Sequence, residues 1–320
     1  MTTAVSETAN SPPFSHEALF YAGTREYVEQ NASFIREGLA ADEPVLVMVP
    51  ADKGELLRAQ LGPEADRVCF VDMRDAGRNP GRIISAWNDF GAEHRAENPR
   101  LRGIGEPIWA GRSGDELVEC QHHESLINLA FEGAHGFRLL CPYDTDALPP
   151  AVIDEARRSH PLVLEDDRPR PCEGYRGTEA IGLEDSPLPP PRAPSEEMSF
   201  HERTLEIVRR FVSAHAGEAG LAPDRSYDLV LAVNEATTNS VRYAGGQGLI
   251  RIWEDDGSGL VCEIRDSGRL VNNPLVGRRR PADGRNGGRG LWLAHQLCDL
   301  VQLRSGHTGT VVRLHMRLSY

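Results

Sequence analysis

Two kinds of apolar run alternate along the 320 residues. Short, nearly continuous stretches bounded by proline or glycine read as buried strands. Longer stretches with apolar residues every three or four positions read as helices packed by one face. Up to residue 142 the order is strand His16–Tyr21, helix Arg25–Ala40 with Tyr27, Phe34 and Leu39 inward, strand 44–50, helix Glu55–Leu61 and strand Val68–Val71. Helix Pro80–Arg95 follows, with Ile83, Ile84, Trp87 and Phe90 on its core face, then a strand within Leu101–Trp109, helix Leu117–Phe131 and strand Phe137–Pro142. This regular alternation predicts an α/β layer fold with a mainly parallel sheet.

From Cys172 to Pro194 the chain turns acidic and proline-rich, the signature of a semi-rigid extended linker. A different pattern begins near Ser199: helix Thr204–His215, with Leu205, Val208, Phe211 and Val212 inward, and helix Tyr227–Ala244. Strands Leu249–Glu254 and Leu260–Arg265, a glycine- and arginine-rich loop Asn272–Asn286, helix Leu291–Cys298 and strands Leu300–Arg304 and Gly309–Leu318 complete it. That order predicts an α/β sandwich with a mixed sheet. The expected organisation is a domain at 14–165, a linker at 172–198 and a second domain at 199–320.

Charge divides the chain in the same place. Residues 199–320 carry 16 arginines against 13 acidic residues, a net of +3, and the remainder carries 19 basic against 35 acidic, a net of −16. An acidic front half disfavours nucleic acid as its ligand, while the mildly basic back half suits a polyphosphate. The only lysine is Lys53, so no lysine-bearing phosphate loop can be written. No stretch approaches the length of a membrane-spanning helix, and the polar residues 1–13 read as a disordered leader. Six cysteines are scattered without a CxxC pair, and Cys69, Cys141 and Cys262, in apolar runs, are expected to be buried thiols. A cytoplasmic protein is the resulting expectation.

Several residues carry candidate chemistry. Within helix 227–244, Leu229, Ala232, Val233, Ala236 and Ser240 make the inward stripe, while Glu235 and Asn239, four apart, point from one face. A carboxylate and an amide so placed can hold a divalent cation and its water, or they can be an ordinary wet helix face. Asp266-Ser267-Gly268 closes a strand; Gly287-Gly288-Arg289-Gly290-Leu291 opens a helix and offers free backbone N–H groups to an anion. Taken singly, each is equally a turn or a flexible loop. In the front half, Cys120 and His122-His123-Glu124 invite a metal reading, but adjacent helical histidines point about 100° apart and cannot both meet one ion unaided. Glu106, at a strand end before a proline, is either the polar group of a sensory pocket or a turn carboxylate.

Residues 14–165 resemble the MEDS family of sensory domains. The likeness rests on His16-x-Ala18-x-Phe20-Tyr21, Phe34-x-x-Glu37-Gly38-Leu39, Gly105-Glu106 with Trp109, the helix His123–Asn128 and Leu139-Leu140-Cys141-Pro142-Tyr143. It implies a RecA-like α/β fold without a phosphate loop, sensing an unknown small-molecule signal. In the back half, Glu235-x-x-x-Asn239, Asp266-x-Gly268, Gly287-Gly288-x-Gly290-Leu291 and Gly309-Thr310 resemble the successive boxes of the GHKL (Bergerat) ATPases, above all RsbW-type anti-sigma factor serine kinases. The pairing of the two halves resembles actinobacterial regulators of RsbA type.

That resemblance implies an ATP and Mg site. Asp266 would meet the adenine amino group and Gly268 would let the base approach the backbone; Gly287, Gly288, Arg289, Gly290 and Leu291 would cradle phosphates, and Thr310 would belong to the same nucleotide site. Asn239 would hold the magnesium, and Glu235 would act as general base. Arg278, Arg279, Arg280 and Arg285 would lie in a lid, with arginine available to the γ-phosphate. Implied partners are a sigma factor and an anti-sigma factor antagonist phosphorylated on serine, with a homodimer possible. The sequence departs from the pattern at Arg242-Tyr243 and Arg269-Leu270, which leaves ATP binding without turnover as an alternative. His201, in Ser199–Thr204, resembles a phosphoacceptor box, but only one helix separates it from the Glu235 helix, against the two-helix hairpin of a sensor histidine kinase.

Overall fold

The proline-bounded run at 44–50 becomes an inner strand because every one of its side chains from Val45 to Val49 is buried between helices on both faces of a sheet. The computed structural model describes residues 11–177, 187–255, 258–270, 273–281 and 288–318. Most of the polar leader, the turn residues Asp256 and Gly257, Arg285 and Gly287 lie outside them. The chain divides into two units, 1–181 and 182–320.

The first unit runs β1 (Ser15–Tyr21), α1 (Gly23–Ala40), β2 (Val45–Val49), α2 (Ala51–Leu61), β3 (Val68–Asp72), α3 (Ile83–His94), β4 (Leu101–Gly105), α4 (Gly114–Ala130), β5 (Phe137–Asp144), α5 (Pro150–Ser159), β6 (Leu162–Glu165) and β7 (Arg168–Pro171). The sheet order is β3-β2-β4-β5-β1-β6-β7, parallel from β3 to β6 and antiparallel only at β7. Helix α4 starts with a capping box, Ser113 and Glu116 each satisfying the other's backbone N–H. The β6–β7 hairpin turns through Asp166 and Asp167 at φ 50° and 57°, the left-handed pair that a two-residue turn between twisted strands requires. Cys69 is exposed, contrary to expectation, because β3 is the sheet's edge; Cys141 and Cys262 are buried as expected.

The second unit runs β8 (Glu196–His201), α6 (Leu205–Glu218), α7 (Pro223–Tyr243), β9 (Gln247–Asp255), β10 (Gly259–Asp266), α8 (Arg289–Leu297), β11 (Leu300–Gly306) and β12 (Gly309–Arg317). Its sheet, ordered β11-β12-β10-β9-β8, is antiparallel throughout rather than mixed. The reason is topological: β12 inserts between β10 and β11, the two strands joined across α8, and separates the pair that would have run parallel. One face of the sheet packs under the three helices through Val208, Val212, Leu229, Val233, Ile250, Ile264 and Leu314.

The stretch expected to be linker is structured at both ends. Cys172 donates its backbone N–H to the Pro161 carbonyl and Arg176 to that of Arg158, so the chain folds back on the first unit. At the other end Glu196–His201 pairs with β9 as an edge strand.

Candidate functional site

Helix α7 is positioned by its stripe: Leu229, Ala232, Val233, Ala236 and Ser240 are buried against the sheet. Pro223 starts it, and Gly245 and Gly246, both at φ near +85°, terminate it. Glu235 and Asn239 therefore stand half-buried on its flank, beside the N-terminus of α8. A β-carbon on Gly290 would lie 2.8 Å from Glu235 Oε2 and 3.0 Å from Asn239 Nδ2, so the first turn of α8 crosses directly over this pair. Gly288 is the N-cap of α8 at φ +82° and has no side chain to cap it, so among the described residues no N-cap side chain takes up the first-turn N–H groups.

Asp266 ends β10, opposite Thr310 on β12. Its carboxylate is held by two donors: the Ser240 hydroxyl to Oδ2 at 2.6 Å and the Gly268 N–H to Oδ1 at 2.8 Å. Thr310 donates Oγ1–H to the Gly268 carbonyl at 2.9 Å and lies 2.9 Å from Ser305 Oγ, which accepts the Leu270 N–H at 2.8 Å. Ser267 donates to the Ala244 carbonyl at 3.2 Å, tying this turn to the end of α7. A β-carbon on Gly268 would sit 2.6 Å from that of Ala244, so only glycine permits the approach.

These elements surround one mainly apolar cleft enclosing about 680 Å³, its open mouth included. Asn239, Asp266, Gly268, Gly288, Leu291 and Thr310 line it, while Glu235 stands just behind, under Gly290. Arg289 is exposed at the start of α8. Of the departures from the expected pattern, Tyr243, Arg269 and Leu270 line the cleft, and Arg242 is not among its lining residues. Gly287 lies outside the described residues. Of the arginines assigned to a lid, Arg278 is buried beside His295 of α8, Arg279 and Arg280 are exposed, and Arg280 lies over the Trp292 ring at 5.6 Å. Burial and then Arg278 hold the His295 imidazole well below its usual range. Sequence reasoning took Ser240 for a core position only and missed Ser305; no spacing signal ties either to Asp266.

In the first unit Glu106 follows β4 and is 1% exposed. It accepts from Lys53 Nζ and from Tyr21 Oη at 3.3 Å, and Lys53 also donates to Tyr21 Oη at 2.5 Å. The lysine lies 5.2 and 5.1 Å from the Tyr21 and Tyr27 ring centres. Glu106 Oε2 and Tyr27 Oη have no hydrogen-bond partner among the described residues. Burial pushes the Glu106 carboxyl up to about 7, against the pull of Lys53. Such a group at the carboxyl end of a parallel strand is where ligands enter α/β sheets. The signal for Lys53 was its being the sole lysine in the chain. Cys120 and the His122-His123 pair do not converge: the Cys120 thiol faces the Pro107 carbonyl, and Glu124 turns instead to His16.

Residues 15–161 match the MEDS family, the methanogen/methylotroph DcmR sensory domain, and residues 198–316 match the histidine kinase-like ATPase domain family. Among solved structures, the crystal structure of the RsbU and RsbW domains of Rv1364c from Mycobacterium tuberculosis is similar at 17% identity, with a TM-score of 0.30 over 40% of this chain and 33% of that one. The chain thus spans about a third of that structure's length. No curated protein matches the chain.

Proposed function

We propose that this chain, a MEDS sensory domain joined to a histidine kinase-like ATPase domain, is a signal-responsive regulator that binds Mg-ATP in the α7–α8 cleft and controls a sigma factor. It does so by phosphorylating an anti-sigma factor antagonist on serine. The observation that carries this reading is the convergence of Asn239, Asp266, Gly268, Gly288 and Thr310 on one cleft from four separate elements.

Bound Mg-ATP would supply the transferable phosphoryl group. Asp266, clamped by Ser240 and Gly268, keeps acceptor capacity for an exocyclic amine. The first turn of α8, with Gly288, Arg289 and Gly290, would offer N–H groups to phosphate oxygens, and Gly287, outside the described residues, is assigned to the same cradle. Asn239 offers the single protein oxygen that magnesium commonly takes beside phosphates and water. Glu235, one turn earlier, would accept the proton of an attacking serine hydroxyl. The Lys53–Glu106–Tyr21 cluster is the recognition point for a small-molecule signal in the sensory domain.

A second reading, an ATP-gated protein that sequesters its partner without transferring phosphate, is favoured by one observation: Asn239 lines the cleft and Glu235 does not. Incubation with γ-labelled ATP, Mg²⁺ and a candidate antagonist separates the two. Acid-stable label on the antagonist, abolished by Glu235→Ala, supports the kinase; nucleotide binding without transfer supports sequestration. Acid-labile label kept on this chain and lost in His201→Ala would make it a histidine kinase. Against that, His201 ends the edge strand β8, its Nδ1 accepting the Arg203 N–H as a cap. If Asn239→Ala leaves Mg-dependent ATP affinity unchanged, the site assignment fails.

A further inference from the structure

Four side chains far apart in sequence meet inside the first unit. His16 on β1, Glu124 on α4, Cys141 on β5 and His160 at the end of α5 are all buried, and their potential ligand atoms lie within 4.8 Å of one another. His16 Nε2 is 3.1 Å from Glu124 Oε2 and 3.4 Å from Cys141 Sγ, and His160 Nε2 is 3.2 Å from the same Glu124 oxygen. Tetrahedral ligands about 2.0–2.3 Å from a zinc ion lie about 3.3–3.8 Å apart, so the spacings of 3.1, 3.2 and 3.4 Å are within a few tenths of that range and four ligands can close on one ion with small shifts.

The hydrogen bonds behind the cluster fix which atom of each ring faces it. His160 Nδ1 is 2.8 Å from the Ala156 carbonyl oxygen, which can only accept. Asn128 donates Nδ2–H to the Ser159 carbonyl at 2.7 Å, and this turns its Oδ1 toward His16 Nδ1 at 3.1 Å. Both rings therefore carry a hydrogen on Nδ1 and, when neutral, present Nε2 to the cluster as a lone pair. Two bare ring nitrogens and a carboxylate oxygen facing one another repel unless a cation lies among them. A proton shared by His16 and Glu124 relieves one pair and leaves the other: His160 Nε2 and Glu124 Oε1 have no hydrogen-bond partner among the described residues.

The geometry points to a binding site for a zinc-class divalent cation, with His16 Nε2, His160 Nε2, a Glu124 oxygen and Cys141 Sγ as ligands. Imidazole and thiolate donors select such an ion over magnesium or calcium. The Cys141 thiol becomes a thiolate bonded to the metal, and its proton leaves to solvent. Four protein ligands leave no open position, which is the pattern of a structural centre. It clamps β1, β5, α4 and the end of α5 together. Asn128 and the Ala156 carbonyl orient the two rings from behind.

The test is titration of the chelator-treated full-length chain with Co²⁺, followed by Zn²⁺. The expected result is one ion per chain, a tetrahedral cobalt spectrum with a thiolate-to-cobalt charge-transfer band, displacement of cobalt by zinc, and at least one proton released per ion. Cys141→Ser should lose the charge-transfer band, Cys172→Ser should keep it, and Asn128→Ala should weaken affinity about 10–100-fold. Circular dichroism identifies any variant that does not fold, and the wild-type spectrum then decides. A wild-type chain that binds no cobalt, or binds it without the thiolate band, overturns the proposal. So does a band that survives in folded Cys141→Ser.

Discussion

Ser240 on α7 donates its hydroxyl to Asp266 Oδ2 on β10 at 2.6 Å, and with the Gly268 N–H on Oδ1 this bond fixes the carboxylate at the base of the cleft. Ser240 is buried and does not itself line the cleft. Ser240→Ala removes one donor to Asp266 and leaves the walls in place. The expected loss is about 1 kcal/mol of nucleotide binding, roughly fivefold in Kd. Calorimetric titration with a non-hydrolysable ATP analogue reads it. An unchanged Kd would show that Asp266 does not contact the base.

Two glycines of the same helix start should respond differently. At Gly290 a methyl group would meet Glu235 Oε2 at 2.8 Å and Asn239 Nδ2 at 3.0 Å. Gly290→Ala should therefore displace both side chains, costing about 1–2 kcal/mol of stability and at least about tenfold in Mg-dependent affinity. At Gly288 there is open space, but φ is +82°. Gly288→Ala should cost about 1–2 kcal/mol through backbone strain alone. Thermal melts and titrations on both variants check the contrast; equal effects would mean that α8 is not seated on Glu235 and Asn239.

Elements with a strong period were legible in the sequence. Helix α7 and its inward stripe, the buried run of β2 and the core face of α3 follow from hydrophobic spacing alone. What escaped was set by tertiary pairing. Strand β7 reads Arg-Pro-Arg-Pro and was not anticipated as a strand, because prolines are tolerated only on an edge strand such as this one. Strand β8 lies next to a proline-rich segment and is held by β9, not by any pattern of its own. The grouping of Asn239, Asp266, Gly268 and Thr310 was anticipated by motif order, but their hydrogen bonds run through serines 240 and 305, which look like ordinary helix and strand residues. The His16–Glu124–Cys141–His160 cluster spans almost 150 positions and arises from the parallel pairing of β1 with β5, which no local signal encodes.

Glu106 makes stability depend on pH in an unusual direction. Its carboxyl rises from an ordinary 4.5 to about 7 on folding, mainly through burial. Between those values the folded state holds a proton that the unfolded state has lost, so stability falls as pH rises from about 4.5 to 7 and is level above. The contribution is roughly 3 kcal/mol at its full extent. Glu106→Gln, which cannot titrate, should flatten that part of the profile in denaturant melts taken every half unit. Parallel profiles for wild type and variant would show that the carboxyl is not held protonated.

Glu263 tests the opposite sign and the architecture of the second sheet. It is fully buried at the centre of β10, accepting from Arg313 Nε and from Arg265 Nε, both at 2.6 Å. Arg313 is its direct cross-strand partner on β12, and also donates to the Pro189 carbonyl. Burial raises the carboxyl, but Arg265 and Arg313 outweigh it and hold it below the usual range. The stabilisation is therefore present above the ordinary carboxylate value and lost as pH falls through the depressed one. Glu263→Gln leaves the buried Arg313 guanidinium without its counter-charge and should cost about 3–5 kcal/mol in urea melts. Replacing both members by methionine removes the charge along with its partner and should cost much less than the single change. If the double variant is as unstable as the single one, packing rather than charge pairing holds β10 to β12 at this position.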